Sequence, residues 1–274
     1  MNPIQSFSLI LATVGRTTCI QVVLASLEAQ TFKNFDILLI DQNEPGYLTP
    51  VLEPFLGRLD IRVFRSAPGL SKARNEGLLH LSGDAFALVD DDCAYEPDTL
   101  EKAAAALSST DIAIGVALPL PASPDEAAVP PEHHPAVCET VRTVFWNAPS
   151  ITLFFRSHIV PSVGFFDENM GAGSGTHFGS GEETDYVIRA IRAGYMVIRD
   201  ASIKVRHPLL DHTSSIAKAK TYGHGRRFLI KKHTIGTGFL WLNILYSFYK
   251  MVSSFPHWGA MRWHWGMFLG RLGY

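Results

Sequence analysis

Four short apolar runs, separated by stretches with helical spacing, constrain the first hundred residues to strands joined by crossover helices. The runs are Phe7–Ala12, Asp36–Asp41, Ile61–Arg65 and Ala85–Val89. Between them, Thr17–Gln30 repeats apolar residues at helical spacing, Leu48–Leu56 does so more weakly, and Leu70–His80 follows the turn Ala67-Pro68-Gly69. The predicted unit is β-α-β-α-β-α-β with a parallel sheet. In open sheets of this type, ligands lie beyond the carboxyl ends of the strands, where loops gather polar groups over a rigid base. Thr13, Asp41 and Asp90 fall at such ends.

After a predicted helix over Asp98–Leu107, the segment Pro119–Pro135 is rich in proline, alanine and acid and reads as a surface excursion. A second half begins near Thr140 with a strand at Ser150–Phe155, a glycine-rich stretch Gly171–Gly181 and a helix over Glu182–Ala193. Short strands follow near Met196–Arg199 and Ser202–Arg206, and from Ser214 the pattern is helical and amphipathic. With 274 residues, 47% of them apolar, the chain can bury one sizeable core and carry an appendage. The expected division is a catalytic domain over 1–212 and a basic amphipathic helical region over 213–274.

The net charge of −2 conceals a strong asymmetry. Residues 1–203 carry 13 Lys/Arg against 25 Asp/Glu, whereas 204–274 carry 11 against one, so −12 is followed by +10. A basic tail of this kind meets a membrane surface or a phosphate-bearing acceptor, with nucleic acid the less favoured partner. Six cations between Lys218 and Lys232 precede the apolar stretch Ile235–Tyr249, which is short of the roughly 20 residues a membrane span needs. Trp241, Trp258, Trp263 and Trp265 fit helices lying in the headgroup layer; packing on the catalytic domain or on a second copy in a homo-oligomer is the alternative. The first six residues lack a basic segment followed by an apolar signal core, so the expected location is cytoplasmic, peripheral on the inner face of the membrane. Cys19, Cys93 and Cys138, odd in number and widely spaced, fit reduced thiols better than disulfides or a zinc site.

Two acidic clusters carry the candidate chemistry. Asp90-Asp91-Asp92 would repel one another in a partly buried turn unless a cation or several donors compensated them. Mg2+ or Mn2+ suits that role, because hard cations prefer oxygen ligands and bridge carboxylates to phosphates. Alternation sends Asp90 and Asp92 to one side and Asp91 elsewhere; a solvated acidic turn before the helix at Asp98 is the competing reading. His207, just before Pro208, is a candidate third ligand. In Ser180-Gly181-Glu182-Glu183-Thr184-Asp185, Ser180 and Glu183 have capping-box spacing and Asp185 lies one turn before Arg189. The functional reading of the same segment is that a carboxylate removes a proton from an acceptor hydroxyl, with Glu183 the first choice and Glu182 and Asp185 positioning acceptor or loop.

Set in order, Ser8-Leu9-Ile10-Leu11-Ala12-Thr13, Leu38-Leu39-Ile40-Asp41-Gln42, Gly69-Leu70-Ser71-Lys72-Ala73-Arg74-Asn75-Glu76-Gly77, the Asp90 triplet and Gly181-Glu182-Glu183-Thr184-Asp185 resemble family 2 of the glycosyltransferases, over roughly residues 6–210. The resemblance implies an α/β, Rossmann-like nucleotide-diphospho-sugar transferase domain of the A-type glycosyltransferase fold, here with a C-terminal helical extension. It implies a nucleotide-diphosphate sugar donor, UDP-linked as first choice, a glycan or lipid-linked acceptor, a divalent cation and inversion at the anomeric carbon. Matched residue by residue, Thr13 and Asp41 would contact the nucleoside base, and Lys72 and Arg74 would lie near ribose or diphosphate. Arg16 and Asp91 join the donor-binding candidates; Asp90 and Asp92 take nucleotide and metal roles, and Glu183 that of base, with Asp185 the alternative. Gln42 departs from the family's second aspartate, and Glu183 from its usual aspartate.

A scaffold protein that binds nucleotide sugars without turnover is the rival within this fold. Phosphoryl transfer is disfavoured, since no Gly-Lys-Ser/Thr loop is present, and dinucleotide chemistry because no Gly-x-Gly-x-x-Gly follows the first strand.

Overall fold

The computed structural model describes residues 1–120, 136–208 and 215–274. The chain divides into two compact units, one comprising 1–68, 72–165 and 186–209, the other 69–71, 166–185 and 210–274. The predicted Pro119–Pro135 excursion lies mostly outside the described residues.

The first unit is built on the four expected strands, β1 (Phe7–Thr13), β2 (Phe35–Asp41), β3 (Ile61–Arg65) and β4 (Ala85–Asp90). Helices α1 (Thr17–Glu28), α2 (Thr49–Leu52) and α3 (Leu70–Leu79) alternate with them. All of β1 and nearly all of β2 and β4 are buried, as expected for parallel strands covered on both faces. The predicted helix Leu48–Leu56 is shorter than its pattern suggested: α2 gives way to a 3-10 turn at Glu53–Phe55, where Pro54 has no N–H to continue the ladder.

Beyond β4 come β5 (Ala94–Tyr95), α4 (Thr99–Leu107), β6 (Ile112–Pro119), β7 (Val137–Cys138), the short helix α5 (Val144–Asn147), β8 (Leu153–Arg156) and the short helix α6 (Val160–Val163). Helix α7 (Glu182–Arg192) has its first turn in the second unit, and β9 (Val197–His207) returns to the sheet. The strand predicted over Ser150–Phe155 begins later, after a 3-10 turn at Ser150–Thr152, and the two strands predicted near Met196 and Ser202 are one. A register shift against β6 between Ile114 and Val116 marks the irregularity that made β9 look divided.

The sheet has nine strands in the order β3-β2-β1-β4-β8-β6-β9-β5, with β7 beside β9. β3, β2, β1 and β4 run parallel, so the chain moves outward from β1 to β3 and then crosses to the other side of β1 to form β4. That reversal leaves the carboxyl ends of β1 and β4 side by side, the position where such sheets bind ligands. The core beneath them is continuous, with Leu9, Leu11, Ile37, Leu39, Ala87 and Val89 packed against Ile20, Leu24 and Leu27 of α1 and Leu100 and Leu107 of α4.

The second unit contains α8 (Ile216–Lys232), α9 (Thr237–Ser253) and α10 (Trp258–Leu272). Ser215 caps α8 by accepting from the Lys218 amide. Helices α8 and α10 meet along glycines: a Cβ on Gly270 would lie 2.2 Å from the Lys220 carbonyl oxygen, and one on Gly223 would lie 2.5 Å from that of Met267. No helix among the described residues is long and apolar enough to cross a membrane.

Candidate active site

The acidic triplet closes β4 at the reversal point, and its three carboxylates have different partners. Asp90 accepts from the NH2 nitrogen of buried Arg74 (3.2 Å) and from the Ser150 hydroxyl (3.2 Å). Asp91 turns to β1, accepting from Thr13 Oγ1 (2.8 Å) and from Arg16 (3.0 Å). Asp92 also meets Arg16, and its Oδ1 lies 3.2 Å from His207 Nε2. Donor atoms of Asp90, Asp92 and His207 all lie within 4.8 Å of one another, while Asp91 is bonded to Thr13 of β1 and shares Arg16 with Asp92.

The local fold explains why His207 reaches the triplet. β5 starts four residues after Asp90 and pairs antiparallel with the end of β9, Ala94 opposite Arg206. Arg206 is anchored by Glu96 and by the Pro119 carbonyl (3.1 Å), which fixes the strand end carrying His207. His207 Nδ1 stands 2.7 Å from the Pro208 carbonyl oxygen; a carbonyl can only accept, so Nδ1 carries the proton and Nε2 is the atom presented to Asp92.

Electrostatics separate the three carboxylates further. Burial raises Asp91 above the usual carboxylate range, although Thr13 and Arg16 oppose the shift. For Asp92 burial acts in the same upward direction, but His207 and Arg16 outweigh it and the net shift is down. The hydrogen bond that His207 donates to Asp92 raises the imidazole against the effect of its own burial. Two hard oxygen donors and one imidazole, with Asp92 and His207 paired to each other without a metal, form a donor set that fits a divalent cation.

The other predicted donor contacts are more varied. Asp41 ends β2 with its carboxylate engaged, accepting at Oδ1 from the Asn43 amide and side chain (2.8 Å each) and at Oδ2 from Arg65 (3.1 Å). Asn43 Oδ1 in turn accepts from the Gly15 amide (2.5 Å), so Asp41 and Asn43 brace the loop after β1. Lys72 makes no side-chain bond among the described residues and is partly exposed in the first turn of α3. Ser150, Asn43 and Arg65 escaped the sequence reading; only the Asp41-x-Asn43 spacing, typical of a side-chain-capped turn, pointed to any of them.

The second acidic cluster belongs to the other unit up to Asp185. Asp185 is fully buried, with Oδ1 2.9 Å from His233 Nε2 and 2.8 Å from Lys232 Nζ. Glu182 is also buried, packed where a Cβ on Gly171 would come within 2.9 Å of its carboxyl carbon, and Gly171 has φ +94°. Glu183 alone of the three acids is partly exposed. It lies close enough to Arg226 to favour that guanidinium's charge, although burial foremost, and Arg271 next, lower Arg226 to about 9. Ser180 donates to the Tyr222 carbonyl (3.5 Å), and Arg189 to the carbonyls of Val163 and Phe165, so both residues have partners beyond those their helical spacing suggested.

A family model described as glycosyl transferase family 2 matches residues 8–157. The EpsH protein of Bacillus subtilis (strain 168) is 29% identical over 98 residues, covering 35% of this chain and 28% of that protein. Among solved structures, S. aureus TarS 1-349 in complex with UDP-GlcNAc superposes with TM-score 0.61 at 18% identity, over 82% of this chain and 65% of that one. For a TarS structure of greater length the covered share falls to 39%. A mannosyltransferase from Pyrobaculum calidifontis, in complex with GDP-Man and Mn2+, superposes with TM-score 0.65 at 12% identity, over 99% of this chain and 88% of that one.

Proposed function

The chain belongs to glycosyl transferase family 2 and has the A-type glycosyltransferase fold, and from that premise we propose that it moves a sugar from a nucleotide-diphosphate donor, UDP-linked as first choice, to a hydroxyl of a glycan or lipid-linked acceptor with inversion. The observation that carries this reading is the convergence of Asp90, Asp92 and His207 at the sheet's reversal point, beside Thr13 and Arg16. Similar folds in complex with UDP-GlcNAc and with GDP-Man and Mn2+ support the donor class.

Asp90, Asp92 and His207 would hold the cation, which when bound offsets negative charge on the donor diphosphate. The single imidazole favours Mn2+ over Mg2+, which keeps oxygen ligands. Arg74 and Ser150 hold the Asp90 carboxylate, Thr13 holds Asp91, and Arg16 bridges Asp91 and Asp92. Lys72 supplies a cation for a phosphate oxygen. Glu183 takes the acceptor's proton as its oxygen attacks the anomeric carbon, and the electron pair of the broken glycosyl–phosphate bond leaves with the nucleoside diphosphate. One displacement inverts the configuration.

The test is donor turnover by the full chain against UDP- and GDP-sugars with Mn2+, with Mg2+ and with EDTA, in the presence of simple glycosides. Turnover that EDTA abolishes and Mn2+ restores is expected. Tight donor binding with no turnover across the panel would overturn the enzymatic reading in favour of a binding protein.

A further inference from the structure

Helix α9 is built inside out. Its buried positions include Asn243 and Ser247, at 0% and 2% exposure, whereas Trp241, Leu245 and Tyr249 are 58%, 61% and 63% exposed among the described residues. A helix of a water-soluble domain does the reverse, directing its apolar stripe inward.

The inward polar stripe has a cause. Asn243 Oδ1 accepts from Arg226 of α8 (3.1 Å), the Asn243 carbonyl accepts from Arg271 of α10 (2.7 Å), and Ser247 donates to that same carbonyl (3.0 Å). Arg226 thus requires a polar side chain on the inner face of α9, which Asn243 shares with Ile244 and Ser247, and most of the helix's large apolar residues are left exposed. The outer surface continues onto α10, where Phe268 lies 5.6 Å from Phe248 and stacks on Trp265 at 5.4 Å. So large an exposed apolar surface marks a docking face.

Charge identifies its occupant. Residues 215–274 contain nine Lys/Arg and no Asp or Glu, and Lys231 and Arg262 are exposed. A second copy docked on this face would bring Lys250 and Arg262 of its own α9 and α10 against helices that contain no acid to pair with them. An anionic surface that also offers hydrocarbon satisfies both properties. We propose that α9 and α10 dock the protein on an anionic lipid bilayer, with the outer face of α9 set in the headgroup layer and the helix lying along the membrane. No helix among the described residues is long and apolar enough to cross, so the proposed contact is a peripheral one. The inference does not depend on the transferase reading.

The experiment is flotation of the full chain with vesicles of phosphatidylcholine alone and of phosphatidylcholine with phosphatidylglycerol, for the native protein and for L245E/Y249E. Both substituted side chains are exposed, so an unchanged thermal melt verifies the fold of the variant. Expected are binding to the anionic vesicles, quenching of Trp241 emission by brominated lipid, and at least about 10-fold weaker binding by the variant. Failure to float with either vesicle, or equal binding to both, would overturn the proposal. A concentration-dependent oligomer of the native chain that L245E/Y249E dissociates would assign the face to a second copy instead. None of these readouts measures sugar transfer, so they fail or succeed separately from the proposed activity.

Discussion

His233 Nε2 lies 2.9 Å from Asp185 Oδ1, and both side chains are buried. Lys232, the preceding residue, contacts the same oxygen at 2.8 Å and reaches Asp167 at 2.7 Å, so the end of α8 ties down both ends of the segment containing the glycine-rich stretch. Lys232 and the Asn169 amide hold Asp167 below the usual carboxylate range, against the opposing effect of burial. Removing one partner of a buried ion pair leaves the other uncompensated, at a cost of about 3–5 kcal/mol. Asp185→Ala should lose stability of about that size in denaturant unfolding, and His233→Ala somewhat less because Lys232 remains. A loss within about 0.5 kcal/mol, typical of a surface position, would show that the dyad does not hold the segment.

The same burial divides roles among the three acids of α7. Glu183→Gln should reduce turnover about 10²–10⁴-fold while leaving donor affinity within error, because an amide cannot take the acceptor's proton. Asp185→Asn keeps an acceptor oxygen for His233 and Lys232, and should retain most turnover where the chain stays folded. Calorimetric donor titration beside initial rates distinguishes the two. Full turnover in Glu183→Gln would remove it as the base.

Metal affinity should rise with pH. Without the cation, His207 is raised by its hydrogen bond to Asp92, so below that raised value it is protonated and paired with the carboxylate. A cation must displace this proton, and the competition fades as pH climbs through the His207 value. The pair's contribution to cation-free stability runs oppositely: it is fully present below the unfolded histidine value, near 6.5, and is lost as pH rises through the raised one. His207→Ala should weaken Mn2+ binding by about 10–100-fold and flatten its pH dependence. Mn2+ titration followed by calorimetry at several pH values measures both, and an unaltered pH profile in the variant would exclude His207 from the site.

The parallel half of the sheet was legible because β1, β2 and β4 are covered on both faces and so appear as unbroken apolar runs. The triplet was legible for a similar reason, since like charges at a strand end need compensation whatever the rest of the chain does. What brings His207 to Asp92 was not legible: β5 is two residues long, and its pairing with β9 links positions more than a hundred residues apart. The partners of Asp41 and Asp185 were hidden in the same way, because Arg65 and His233 reach them through tertiary packing and their spacing carries no local period. In α9 the apolar count was visible, but the direction of its faces depends on Arg226 and Arg271 in two other helices.

The glycine crossing of α8 and α10 makes opposite predictions at two helical glycines. Gly270→Ala gains about 1 kcal/mol of helix propensity, yet its methyl group would stand 2.2 Å from the Lys220 carbonyl oxygen and 2.9 Å from the Gly223 Cα. Both neighbours are backbone atoms, so relief requires the helices to separate, and overpacking of this kind costs about 1–3 kcal/mol or more. Gly238, in the first turn of α9, has nothing within 4 Å of its would-be Cβ, so alanine there should be neutral or stabilising by up to about 1 kcal/mol. Thermal melts of the two variants should therefore shift in opposite directions, or only Gly270→Ala should shift, downward. A stabilised Gly270→Ala protein would show that α8 and α10 do not approach as closely as their glycines permit.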